Sequence, residues 1–233
     1  METKSFSKFI KGELSGWKKW EVAWLLIATL VILGLSLYWH DSIPALFAAL
    51  TGVWCVILTG KGKVSNFIFG FFNVLLYAYI SWQAKFYGEV MLNLLYYLPC
   101  DIIGMIVWAK HVNKSDNEVI KERMGLKSSL ITYPLTALGV FAYGLILQRM
   151  GGTLPFVDSC STVLSIVAQI LCIKRFAEQW ILWIVVDGVT VAMWIYDFVN
   201  GGENISTFLM WAVYLINAII MYVRWRKGSE KNV

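Results

Sequence analysis

Charge is scarce in this chain. Lys, Arg, Asp and Glu make up 15% of its 233 residues, against 58% hydrophobic residues. A soluble domain of this length buries a full core without so much apolar sequence, so composition argues against a soluble globular protein. Period-2 alternation is also lacking, which removes a membrane β-barrel. Several chemistries are missing. The cysteines, Cys55, Cys100, Cys160 and Cys172, lack metal-ligand spacing and are expected as small apolar packing residues. There is no His-Glu-x-x-His cluster and no nucleophile elbow. "TGKGKVS" (Thr59–Ser65) lacks the leading glycine of a phosphate loop and follows an apolar run instead of a strand, so ATP coupling is not encoded. No metal and no cofactor are expected. The first apolar run ends "LGLSLYWHDSIP" without a small-x-small cleavage pattern, and is expected as a membrane helix instead of a signal peptide.

What remains is apolar sequence in blocks of membrane-crossing length. Eight runs stand out, at 22–39, 42–59, 64–83, 89–109, 129–149, 154–173, 179–198 and 205–223. Backbone groups in lipid must satisfy one another, which selects helices. The expected fold is an all-α membrane protein of eight transmembrane helices, a single polytopic domain over 1–233. Of the 20 Lys and Arg residues, all but Lys85 and Arg149 fall on one side of the spans, and the positive-inside rule makes that side cytoplasmic, with both termini. The net charge of +5 is then a topology signal, and nucleic-acid binding is the weaker reading.

Sliding the chain on itself suggests a duplication at an offset of 114, which carries Gly88-Glu89 onto Gly202-Glu203, Lys61 onto Arg175 and Lys110 onto Arg224. Spans two to four then fall on spans six to eight, and spans one and five correspond. Each half holds an even number of crossings, so the repeats would run parallel, with a substrate site between them near the midplane.

One residue is costly where it stands. Asp187 lies mid-span, and an acid there costs on the order of 2.5–3.5 kcal/mol on insertion scales. Trp180 and Trp183 precede it at i−7 and i−4, on one helical face, which Thr190 and Trp194 extend. The offset maps these onto Asn66, Phe69 and Asn73, with Tyr77 beyond. Tryptophans at this spacing also serve as packing or interfacial anchors. No Lys or Arg lies at matching depth, so a cationic ligand would complete the site. Gln179, Asn93, Tyr97 and Trp211 are further binding candidates. Glu89 and Glu203 begin their helices, where a carboxylate suits the dipole, and are expected as caps or gate residues. Pro99 is expected to kink span four beside Asp101, a deep acid that could hold a neighbouring helix, bind a proton or face a cavity. Small residues on span two (Ala45, Ala48, Ala49, Gly52) suit close helix packing or a subunit contact, so a homo-oligomer, a homotrimer included, stays open.

"TGKGKVSNFIFGFFNVLLYAYISWQAKFYGEVMLNLLYYLP" (Thr59–Pro99) strongly resembles the PnuC-type vitamin transporters of bacteria, and "EQWILW" (Glu178–Trp183) supplies that family's Trp-x-x-Trp pair. The likeness covers nearly all the spans and is densest in three, four and seven. The family resembles full-length relatives of SWEET sugar transporters. It implies a three-plus-one-plus-three core (42–109, link 129–149, 154–223) with an N-terminal helix at 22–39. It also implies uptake of nicotinamide riboside across the bacterial inner membrane by facilitated diffusion, with trapping by a cytoplasmic riboside kinase. Thiamine is the alternative substrate, also an aromatic cation. A membrane-embedded enzyme using Asp101 and Asp187 is the rival from another class, but neither acid has a nucleophile or metal beside it. A structural or scaffold membrane protein is the third reading.

Overall fold

The computed structural model describes residues 2–40, 42–83, 87–151, 154–199 and 205–230. Their regular structure is helical: α1 Glu2–Leu14, α2 Lys19–Tyr38, α3 Ile43–Lys61, α4 Asn66–Gln83, α5 Tyr87–Leu92, a π-helical segment Asn93–Tyr97, α6 Leu98–Ala109, α7 Leu126–Arg149, α8 Pro155–Ile173, α9 Gln179–Val199 and α10 Ile205–Ser229. Each apolar run coincides with a helix, the fourth being α5, the π segment and α6 in succession. Among the described residues five segments are long and apolar enough to cross a membrane, namely α2, α3, Val90–Ala109, α7 and α8, and Gln179–Ala192 is a shorter apolar helix. The count of eight helices misses α1, because its sequence is polar on average and carries no membrane-length run.

Local sequence explains where the helices break. Pro99 has no N–H to give the carbonyl four residues back, and its ring crowds that carbonyl. The backbone widens there: the Leu98 N–H reaches Asn93 O, five residues back. The kink expected at Pro99 is thus a π-helical turn on its N-terminal side. Helix α3 ends at Gly62 in the left-handed conformation (φ 83°), with Gly62 N bonded to Thr59 O and Lys63 N to Leu58 O. These two bonds make a Schellman cap. The same pair recurs after α8: Arg175 (φ 64°) donates to Cys172 O, and Phe176 to Leu171 O. Asn66 Nδ2 then donates to Lys63 O (2.6 Å), and Gln179 Nε2 to Phe176 O (3.2 Å). The carbonyls of Gly62 and Arg175 each accept a backbone bond, from Val119 and Glu122 respectively.

The chain divides into two compact units, Met1–Ile120 and Lys121–Val233. In the first, α4 packs on α3 and α6. Its small residues allow this: Ala48 and Gly52 are buried on α3, and the Phe67 ring fills the space over Gly104. Phe67 also meets Trp108 edge-on, 5.0 Å between centroids. In the second unit α8 lies against α7 and α9, with Leu164, Ala168, Leu171, Leu182 and Val186 buried together. Here Trp180 meets Trp225 edge-on at 6.0 Å. Helix α7, expected to link the halves, thus belongs to the second unit. Large apolar side chains such as Leu30, Leu37, Leu130 and Leu138 stay exposed along α2 and α7, as lipid-facing positions should.

Candidate functional site

Helix α9 places several polar groups in an apolar setting. Gln179 and Trp180 are fully buried at its start, and Gln179 Oε1 and Trp180 Nε1 have no hydrogen-bond partner among the described residues. Two turns on, Asp187 is 5% exposed. No donor reaches its carboxylate among the described residues. Thr190 turns its hydroxyl back to Val186 O (2.9 Å). Trp183 is partly buried and packs against the Leu164–Leu182 cluster. A buried acid without a donor costs free energy unless something pairs with it. Trp180 differs from Trp183: its ring is fixed against Trp225, so packing explains most of its surface.

The first unit holds a second buried acid. Asp101 on α6 is 6% exposed, and its Oδ2 has no hydrogen-bond partner among the described residues. It lies against Gly70 of α4, where a Cβ would come within 3.0 Å of that oxygen. The other expected residues of this unit have structural partners or face outward. Asn66 is buried and bonded in the α3–α4 turn. Asn73 Nδ2 donates to Ala48 O (2.7 Å), bridging α4 to α3. Tyr77 is exposed and Asn93 is buried in the π segment. Tyr97 meets Tyr96 edge-on, and in the second unit Trp211 meets Tyr214 the same way. Pro99 is exposed. Glu203 and the side chain of Glu89 lie outside the described residues, so the cap expectation is left with sequence alone.

Sequence reasoning missed a polar network beneath the first unit. Lys61 and Lys63, counted only as topology charges, are 1% and 0% exposed. Lys61 Nζ meets Glu21 (2.6 Å) and Glu118 (2.8 Å) and donates to Gly16 O. Lys63 Nζ donates to Gly12 O (2.9 Å) and Asn117 O (3.0 Å). The Glu13 carboxylate accepts from Ser65 at the head of α4. The network thereby ties α1 and the 113–119 segment to the α3–α4 turn. Burial pushes the Lys63 ammonium below its ordinary 10.5, with Glu13 and Glu118 opposing. The signal was present in the sequence as Glu21, an acid inside the first apolar helix, and as Gly-Lys-Gly-Lys directly after the next.

The sequence profile of the nicotinamide mononucleotide transporter family matches residues 42–227. The chain belongs to this family. It is 39% identical to the nicotinamide riboside transporter PnuC of Neisseria mucosa over 222 residues, 93% of this chain and 84% of that protein. It is 32% identical to the protein of the same name from Haemophilus influenzae, over 92% of each. The crystal structure of a vitamin B3 transporter, PnuC, matches with a TM-score of 0.83 at 37% identity, covering 97% of this chain and 99% of the other. Family membership and the apolar helices together make this a multi-pass membrane transport protein.

Proposed function

We propose that this protein carries nicotinamide riboside across the bacterial inner membrane by facilitated diffusion, and that Asp187 and Trp183 on α9 form the centre of its binding site. The observation that carries this is the buried Asp187 carboxylate, which meets no donor among the described residues, one helical turn from an indole. A pyridinium nucleoside offers what the pair lacks: a fixed positive charge and a flat ring. Cation–π attraction to Trp183 contributes about 0.5–2 kcal/mol. Asp187 supplies the counter-charge or accepts ribose hydroxyls. Gln179, Trp180 and Thr190 extend the site along α9, and Asn66, Asn73, Tyr77, Asn93, Tyr97 and Trp211 are its outer candidates, several already engaged in helix contacts.

The family's name and its relatives' names differ by one phosphate. The chemistry of this chain favours the riboside. No Lys or Arg lies mid-span: of the buried cations, Lys61 is the last residue of α3, and Lys63, Lys121 and Arg175 belong to turns and links. A phosphate would enter with nothing to neutralise it. Phosphorylation by a cytoplasmic kinase would therefore trap the substrate.

We also infer that the chain holds an internal duplication, and matching local features support this. The matching Schellman caps, Gly62 and Arg175, stand 113 positions apart. The Phe67–Trp108 and Trp180–Trp225 pairs repeat one packing motif. At this register Asp187 falls on Val74 and Trp183 on Gly70, one residue away from the pairing given by an offset of 114. One residue is a rotation of about 100° on a helix, so the two aromatic–polar stripes are not equivalent.

Uptake of labelled nicotinamide riboside into proteoliposomes tests the function. Entry to the external concentration, with recovery of intact riboside, is expected. Accumulation without a kinase, or conversion to nicotinamide, would contradict it.

A further inference from the structure

A cavity of about 340 Å³ opens in the second unit where α7 and α9 begin and α10 ends. Neither Trp183 nor Asp187 lines it. Arg123, Arg226, Tyr133, Tyr222, Ser129 and Glu178 supply its polar wall. Helix α7 is apolar enough to cross the membrane from Leu126 onward, so this wall stands at the level where span meets head groups.

We propose that this cavity binds the phosphate of an anionic phospholipid headgroup, with glycerol-type hydroxyls preferred. Two guanidiniums face one space. Arg226 Nη1 donates to the Tyr222 hydroxyl (2.9 Å), which fixes the fork and leaves its other N–H groups for a phosphate. Among the described residues Arg123 is held only by a loose pair with Glu230 at 3.4 Å, both side chains substantially exposed, and such a pair yields readily to a stronger anion. The Tyr133 hydroxyl is a further donor. Glu178 opposes a phosphate, but one of its oxygens already accepts the Met124 N–H (2.9 Å). Its other oxygen is placed to accept from a headgroup hydroxyl. The tails have a path as well. Leu126 lines the cavity and is 78% exposed, and Leu130 one turn on is exposed beside it. Basic pockets between membrane helices with an apolar flank suit lipid anions. The site does not suit the proposed substrate, a cation that would meet two guanidiniums. The inference needs α7 to span the bilayer and does not need the substrate assignment.

The test is thermal unfolding of the detergent-purified full chain with short-chain phosphatidylglycerol, phosphatidylcholine or inorganic phosphate, with native mass spectrometry counting retained lipid. Phosphatidylglycerol is expected to raise Tm and the other two to leave it unchanged. Arg226→Gln and Arg123→Gln are each expected to weaken phosphatidylglycerol binding about tenfold, the worth of a charge-assisted hydrogen bond. Tyr222→Phe, which keeps the ring and removes the hydroxyl holding Arg226, should weaken it less. Lys227→Gln, an exposed neighbour outside the cavity, should change nothing. Equal stabilisation by inorganic phosphate would make this a free-phosphate site and overturn the lipid assignment. An equal loss in Lys227→Gln would reduce the effect to diffuse surface charge, and no response to phosphatidylglycerol would remove the site. Riboside affinity, read on the same variants, should stay constant, so failure here is separable from failure of the transport reading.

Discussion

The carboxylate of Asp101 on α6 lies directly against the bare α-carbon of Gly70 on α4: a Cβ at Gly70 would stand 3.0 Å from Asp101 Oδ2. One turn away the relationship is reversed, with the Phe67 ring of α4 over Gly104 of α6, where a Cβ would clash with the ring edge. Acid on glycine and ring on glycine together set the spacing of these helices.

Gly70→Ala should therefore destabilise the first unit by about 1–3 kcal/mol, the usual cost of overpacking. Gly104→Ala should cost more, because the ring of Phe67 is itself fixed against Trp108. Thermal unfolding in detergent orders the two. Equal stability of Gly104→Ala and wild type would show that α4 and α6 are not packed this closely.

Lys61 separates buried from exposed ion pairs. Lys61→Met removes the ammonium that meets buried Glu21 and Glu118, and should cost about 3–5 kcal/mol. Breaking the exposed Arg123–Glu230 pair with Glu230→Gln should cost less than about 1 kcal/mol. Denaturation of both variants checks the contrast.

Lys63 carries a pH signature. Its folded pKa lies below the ordinary 10.5, chiefly through burial. Between the folded value and 10.5 the unfolded chain holds a proton the folded chain lacks, so stability rises with pH in that window. Below the window the penalty is complete. Lys63→Met has no such term. Wild-type stability relative to Lys63→Met should thus increase as pH climbs toward 10.5, read from paired melting curves. A relative decrease would mean that the contacts to Gly12 O, Asn117 O and the nearby carboxylates outweigh burial.

Asn73 distinguishes helix bridging from binding. Its amide donates to Ala48 O, so Asn73→Ala should cost about 1 kcal/mol in stability. Riboside affinity should change far less than in Asp187→Asn. A large affinity loss at unchanged stability would return Asn73 to the centre of the site.

Much of the fold was legible because the bilayer imposes one strong rule, long apolar runs that satisfy their own backbone. All eight runs coincide with helices, and even the break at Pro99 was visible, since a missing N–H is a property of the residue. What escaped was whatever depended on neighbours distant in sequence. Helix α1 has no apolar run, and it is held through Lys63 and Ser65, some fifty residues on. Lys61 looked like a surface charge because nothing in its own segment reveals Glu21 and Glu118. The pairing of Asp187 with Asn73 rests on an offset of 114, whereas the matching caps at Gly62 and Arg175 stand 113 apart. In the candidate site, Asp187 stands out by cost and Trp183 by spacing, and their part in binding is the proposal that the variants below test. The cavity between Arg123 and Arg226 was not, since α7, α9 and α10 build it together.

The most direct test of the account is calorimetric titration of the purified protein with nicotinamide riboside, its 5′-phosphate, thiamine and riboflavin, repeated on Trp183→Ala and Asp187→Asn. The expected result is binding of the riboside alone, weakened about tenfold or more in each variant. Equal binding of the 5′-phosphate, or unchanged riboside affinity in both variants, would contradict a site built on Trp183 and Asp187.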